Sequence, residues 1–306
     1  MPSSAVSTAR RLGKACFGAL PFCASTILVL AGCGSRSDLG GVAEWGDAGG
    51  NPGGADATGG DGATGGDGAT GGSSEDGGAP SPPLPPGCWP ELPGPTLVKV
   101  ERPAGSFCID ATEVTNRDYS AWLDTGPSTA GQRSACAWND TFVPWDQVWP
   151  VDDERLEHPV SGVDFCDADA YCRWTGKRLC RAGPESDVID ASDEWRSACT
   201  REGEQDYPYG ESFVSNACNG HELDIGGTRP VGSLASCEGS YAGVFDMVGN
   251  VAEWVDMCDA DTGSLDGCWS LGGDWFTLKG SCRSSRGWSR DTRGAILGFR
   301  CCRDAE

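Results

Sequence analysis

Across 306 residues the chain carries 23 Lys and Arg against 45 Asp and Glu, a formal charge of −22 at pH 7. That balance excludes nucleic acid and anionic lipid headgroups as ligands, since both would be repelled. Seventeen cysteines beside two histidines point to an exported, cross-linked protein rather than a zinc-binding one, and no Cys-x-x-Cys knuckle occurs.

Residues 1–33 read as an export signal. Arg10, Arg11 and Lys14 precede a nearly apolar run from Ala15 to Ala31, which is shorter than the roughly 20 residues that span a bilayer. The run ends in Leu30-Ala31-Gly32-Cys33, which resembles a bacterial lipobox. The resemblance implies lipidation of Cys33 and a membrane-anchored lipoprotein. Gly34 after the cysteine suits the outer membrane, with the protein facing the periplasm or the cell surface. Residues 34–95 are expected to be a disordered tether. Ala-Thr-Gly-Gly-Asp-Gly repeats from Ala57, almost without large apolar residues, and cannot bury enough surface to offset chain entropy. The cluster Pro80 to Pro86 stiffens its far end.

Residues 96–306 are expected to form one domain. Cys16, Cys23 and Cys33 account for three of the seventeen cysteines, and the other fourteen lie between Cys88 and Cys302, an even set that predicts seven bridges. Leu97–Val100 and Gly105–Asp110 predict two strands. Thr115 predicts a helix N-cap with Asp118 in capping-box position, and Tyr119, Trp122 and Leu123 supply the buried face before Gly126-Pro127 stops the helix. The segment 128–157 is irregular, and its Trp138, Trp145 and Trp149 suit either a core plug or a ligand groove. Asp164 predicts the cap of a second helix that buries Phe165, Ala168, Tyr171 and Cys172 and ends at Gly176. A third helix is expected from Ser192 to Gly203 with Trp195, Ala198 and Cys199 on one face. Further on, Gly249-Asn250 predicts a tight turn between two carboxylates, Asp246 and Glu253. Backbone carbonyls beside those acids suit a hard cation such as calcium; the competing reading is a buried hairpin with two solvated acids. Three short helices among Gly- and Trp-rich turns give an irregular, loop-rich α+β domain.

In order, the blocks Glu113-Val114-Thr115-Asn116, Pro159-Val160-Ser161-Gly162-Val163, Asp167-Ala168-Asp169-Ala170-Tyr171-Cys172-Arg173-Trp174-Thr175-Gly176-Lys177-Arg178-Leu179, Glu194-Trp195, Tyr207-Pro208-Tyr209-Gly210, Pro230-Val231-Gly232, Asp246 to Trp254, Gly272-Gly273 and Gly298-Phe299-Arg300 resemble the formylglycine-generating enzyme, or sulfatase-modifying factor, family. The resemblance implies a disulfide-stapled variant of the C-type-lectin-like fold. It implies structural calcium at Asp246, Gly249, Val251 and Glu253, a second calcium at Asn219, Gly220 and Asp224, and a bridge between Cys199 and Cys301. Cys302 beside the latter leaves that pairing open. Family catalysis uses copper held by two cysteines to oxidise a substrate cysteine in a Cys-x-Pro-x-Arg context. Here the two positions are Thr277 and Cys282, and Asp274 replaces the usual Ser. A hydroxyl is no substitute for a thiolate toward Cu(I), which argues against copper and makes Cys282 most simply a disulfide partner. An iron centre would have only His158 and His221, 63 residues apart. Cys180 stands in place of a family Pro, and residues 181–191 are an insertion. The expected function is a calcium-stabilised binding module at the cell surface, for a polypeptide or glycan. The alternative is an active oxidoreductase that converts a protein cysteine to formylglycine.

Overall fold

The structure is a computed structural model that describes Cys88, residues 92–183 and residues 189–305. The export signal, Cys33 and nearly all of the expected tether lie outside the described residues. No described helix is long and apolar enough to cross a membrane.

Strands β1 (Leu97–Val100) and β2 (Phe107–Asp110) open the domain, followed by helices α1 (Asn116–Asp124) and α2 (Phe165–Trp174), strand β3 (Arg178–Leu179) and helix α3 (Glu194–Thr200). The remaining strands are β4 (Ala252–Cys258), β5 (Gly267–Leu271), β6 (Ser285–Ser289), β7 (Leu297–Phe299) and β8 (Cys301–Asp304). They form two four-stranded sheets, ordered β1-β2-β8-β3 and β6-β5-β4-β7. All neighbours are antiparallel except β4 and β7, which run parallel.

The helix starts follow local chemistry. Thr115 Oγ1 accepts from the Asp118 N–H at 3.1 Å while the Asp118 carboxylate accepts from the Thr115 N–H at 3.3 Å. Asp164 and Asp167 close the same reciprocal box at α2, satisfying amides that no helical carbonyl reaches. The third helix differs from expectation at both ends. Asp193 caps it, because the Ser192 hydroxyl and N–H are bonded to Asp190, and Arg201 in left-handed conformation ends it before Gly203. Strand β2 begins at Phe107, two residues later than expected.

Two buried clusters carry the fold. One joins α1 and α2 to β4 and β7, with Tyr119 stacked on Tyr171 at 5.6 Å and Trp122 edge-on to both. The other packs Trp195 of α3 against Val100, Ile109, Met247 and Leu271. All fourteen cysteines are bridged, as Cys88–Cys108, Cys136–Cys166, Cys172–Cys301, Cys180–Cys302, Cys199–Cys282, Cys218–Cys237 and Cys258–Cys268. The first carries the stapled unit back to Cys88, ahead of residue 96. The expected Cys199–Cys301 bridge is absent. Neighbouring strand residues face opposite ways, so β8 turns Cys301 into the helical cluster and Cys302 into the Trp195 cluster, where Cys199 also lies. Cys301 therefore meets Cys172 of α2, Cys302 meets Cys180, and Cys199 is left for Cys282. The set is that of an exported protein held in an oxidising compartment.

Candidate functional site

Strand β5 runs out at Leu271 into Gly272 and Gly273, whose φ values are +86° and +73°. A Cβ on Gly272 would lie 2.5 Å from the Met247 carbonyl oxygen, so only glycine lets the chain turn this close to the neighbouring loop. The turn that follows is closed by two side chains. Thr277 Oγ1 accepts from the Asp274 N–H at 3.0 Å and donates to Asp274 Oδ2 at 3.1 Å, while Asp274 Oδ1 accepts from the Phe276 N–H at 2.8 Å. Thr277 and Asp274 thus hold each other and shape the backbone.

Five residues beyond Thr277, Cys282 is buried and joined to Cys199. The catalytic role carried over to Cys282 needs a free thiolate, and this sulfur has none to offer. With a hydroxyl at 277 and a disulfide at 282, the residues present do not fit a copper ion. What remains is a cavity of about 330 Å³ lined by Ala252, Ser270, Asp274, Thr277, Ser284 and Arg286 among others. Its wall is ordered by Trp288, whose indole N–H donates to Ser270 Oγ at 2.9 Å and whose ring carries the Arg286 guanidinium at 4.0 Å. Hydroxyls, one carboxylate and one guanidinium suit hydrogen-bonded recognition of a polar ligand, not soft-metal redox chemistry. Sequence reading passed over Ser270 and Arg286 and met Ala252 only within a family block, since nothing in their spacing announces a cavity.

The carboxylates around Gly249-Asn250 separate from their expected roles. Both turn residues have positive φ, +82° and +57°, and the Gly249 Cα presses against the Asn219 backbone, where a Cβ would come within 2.5 Å. Glu253 is buried and fully engaged. Arg300 donates to both of its oxygens at 2.8 and 2.7 Å, and the Trp195 indole N–H donates at 2.7 Å. Asp246 Oδ2 accepts from the Gly232 N–H at 2.6 Å, and burial pushes its carboxyl up to about 6. Among the described residues no group of three or more His, Cys, Asp or Glu is placed to hold a metal. Both Glu253 oxygens accept from Arg300, while calcium at Asp246, Gly249, Val251 and Glu253 stays what the resemblance implied. Glu113, named from the sequence only as the start of a family block, joins this acidic cluster. Both of its carboxyl oxygens are buried without a hydrogen-bond partner, and burial together with the Asp246 charge holds its carboxyl well above the ordinary range.

At the second expected calcium site, Asn219 is buried, its Nδ2 donates to the Gly227 carbonyl and to Asn250 Oδ1, and its Oδ1 has no partner. The Gly220 carbonyl accepts from the Leu223 N–H at 3.1 Å, and Asp224 is exposed with φ +53°. The orphaned Asn219 oxygen fits a cation; the carboxylate of Asp224 is at the surface. The histidines stay apart in role: His158 Nδ1 lies 2.9 Å from Thr228 Oγ1, and His221 packs edge-on to Phe276. Of the three tryptophans left between core and groove, Trp138 packs on the helical cluster and bonds the Ala135 carbonyl. Trp149 packs there too, yet also lines a cavity, as described below.

The family model for the "Sulfatase-modifying factor enzyme 1-like domain" matches residues 91–305. The chain belongs to this family. The family includes both active and inactive members. An "Inactive C-alpha-formylglycine-generating enzyme 2" from Bos taurus is 33% identical over 175 residues, covering 50% of this chain and 52% of that protein. A "Formylglycine-generating enzyme" from Mycobacterium tuberculosis is 32% identical over 180 residues, covering 56% and 53%. The chain spans about half the length of these curated relatives. Among solved structures, PvdO from Pseudomonas aeruginosa superposes with a TM-score of 0.47 at 23% identity, covering 65% of this chain and 80% of that one.

Proposed function

We propose that this chain is a binding module of the formylglycine-generating family in which the copper-oxidase site has become a redox-inert, hydrogen-bonding cavity. The observation that carries the reading is the Cys199–Cys282 bridge: it removes the remaining family thiolate, while Thr277, in the place of the other, is spent on Asp274. A disulfide-dense scaffold with loop-built walls suits a binder, because its surface varies without loss of the fold. The Cys33 lipid anchor and the glycine-rich tether would present the module beyond a bacterial membrane, toward a polypeptide or glycan. Calcium would serve the scaffold through Asn219, whose buried Oδ1 has no hydrogen-bond partner.

The oxidised domain, incubated with copper, O₂, a reductant and a Cys-x-Pro-x-Arg peptide, is expected to leave the peptide thiol unchanged by mass spectrometry while an active family enzyme converts it. Aldehyde formation by this chain overturns the proposal and restores the oxidoreductase reading.

A further inference from the structure

Trp275, from the same turn that carries Asp274 and Thr277, lines a second cavity of about 360 Å³. The segment 146–152 with Trp149 lines it too, together with Asn116, Arg155, Ser161 and Thr228 among others. The size is that of a small-molecule site, which typically runs from roughly 300 to 1,000 Å³.

The inner groups are fixed by one another. Asn116 Nδ2 donates to the Arg155 carbonyl at 2.9 Å, and Arg155 Nη2 donates to Thr228 Oγ1 at 3.0 Å. Both indole walls are anchored through the backbone: the Trp275 N–H donates to the Asn250 carbonyl at 3.1 Å, and the Trp145 N–H, ahead of Trp149, donates to the Gly162 carbonyl at 2.8 Å. The outer groups are uncommitted. Among the described residues, no protein group bonds the side chains of Asp146, Gln147 or Asp152, or the indole N–H of Trp149 or Trp275. The indoles of Trp138, Trp195, Trp254 and Trp288 bond within the protein, while that of Trp122 is buried in the core without a partner.

We propose that this cleft binds a neutral saccharide. A sugar ring offers an apolar C–H face and a rim of hydroxyls that each donate and accept. Two indole rings in the lining match the first, and free carboxylates, an amide and indole N–H groups match the second. Two unpaired carboxylates on a chain of charge −22 disfavour an anionic ligand, and the Arg155 guanidinium in the same wall disfavours a cationic one. No strand lines the cavity, so an extended polypeptide finds no sheet edge to join. The inference rests on the binding-module reading, yet it concerns a different cavity from the one tested by the aldehyde assay.

The test titrates the domain with cellobiose, maltose, xylobiose and chitobiose, following intrinsic fluorescence and the indole N–H signals by NMR. The Cys-x-Pro-x-Arg peptide and tetramethylammonium serve as competing ligand classes. At least one disaccharide is expected to bind saturably and to shift the Trp149 and Trp275 signals. Trp149→Ala is expected to weaken it by about tenfold or more, since one stacked ring is worth about 1.4 kcal/mol on this scale, and Trp149→Phe to retain part of the affinity. Absence of any indole shift with all four sugars overturns the proposal. So does unchanged affinity in Trp149→Phe and Trp149→Ala alike, or saturable binding of the peptide or the ammonium ion instead. Should Trp149→Ala fail to fold, the indole shifts of the unsubstituted domain and Trp149→Phe decide. Sugar failure with no aldehyde formation rejects this inference alone, whereas aldehyde formation rejects the proposed function.

Discussion

Removing the Cys199–Cys282 bridge, as Cys199→Ala with Cys282→Ala, is expected to destabilise the domain by about 4 kcal/mol. The two cysteines are 83 residues apart, and the Cys218–Cys237 and Cys258–Cys268 bridges cut 19 and 10 of those out of the loop, leaving 83 − 19 − 10 = 54 in the effective ring. A ring of that size withholds about 4 kcal/mol of chain entropy from the unfolded state at 25 °C. For a domain of this size each kcal/mol moves the melting midpoint by roughly 2–4 °C, so a fall of about 8–16 °C is expected by differential scanning calorimetry. Mass spectrometry must first show the other six bridges intact. The same bridge is the chemical ground for denying Cys282 a catalytic thiolate, so the measurement bears on function as well. A midpoint lowered by no more than one or two degrees would refute the entropic reasoning. Alkylation of Cys282 in the native, unreduced protein would refute the bridge itself.

Arg300→Met is expected to cost about 3–5 kcal/mol in urea unfolding, because it leaves Glu253 charged and buried with only the Trp195 N–H; Glu253→Gln with Arg300→Met should recover much of that loss. The acidic cluster sets an unusual pH dependence. A carboxyl whose folded pKa lies above its unfolded value holds its proton more tightly in the folded state; its contribution is complete below the unfolded value and is lost as pH rises through the folded one. Burial raises Asp110 and Asp246 each to about 6, so the domain is expected to melt higher at pH 5 than at pH 7. Asp246→Asn, which tolerates the positive φ of that position, should flatten the difference, and a midpoint that falls steadily from pH 7 to pH 5 would contradict the assignment.

Much of this protein could be read from residues a few positions apart. Thr115 with Asp118 and Asp164 with Asp167 fix two helix starts, because a capping box is complete within one helical turn. The family blocks were legible for a related reason: Gly249-Asn250 and Gly272-Gly273 stand where backbone demands leave few residue choices. The even cysteine count foretold seven bridges, and Thr277 in place of a cysteine already argued against copper.

Only the tertiary structure decided who meets whom. Cys301 and Cys302 are adjacent in sequence, and strand pleating sends one to Cys172 and the other to Cys180; no local rule distinguishes them. Glu253 meets Arg300 across 47 residues because β4 and the Gly298-Phe299-Arg300 segment lie side by side, a pairing that its place beside Gly249-Asn250 did not announce. Trp149 and Trp275 share a cavity although 126 positions separate them. Spacing along a chain reports neighbours within a turn or a strand, while charge pairs, bridges and cavity walls are set by packing between distant segments, where burial decides which polar group finds a partner and which is left for a ligand.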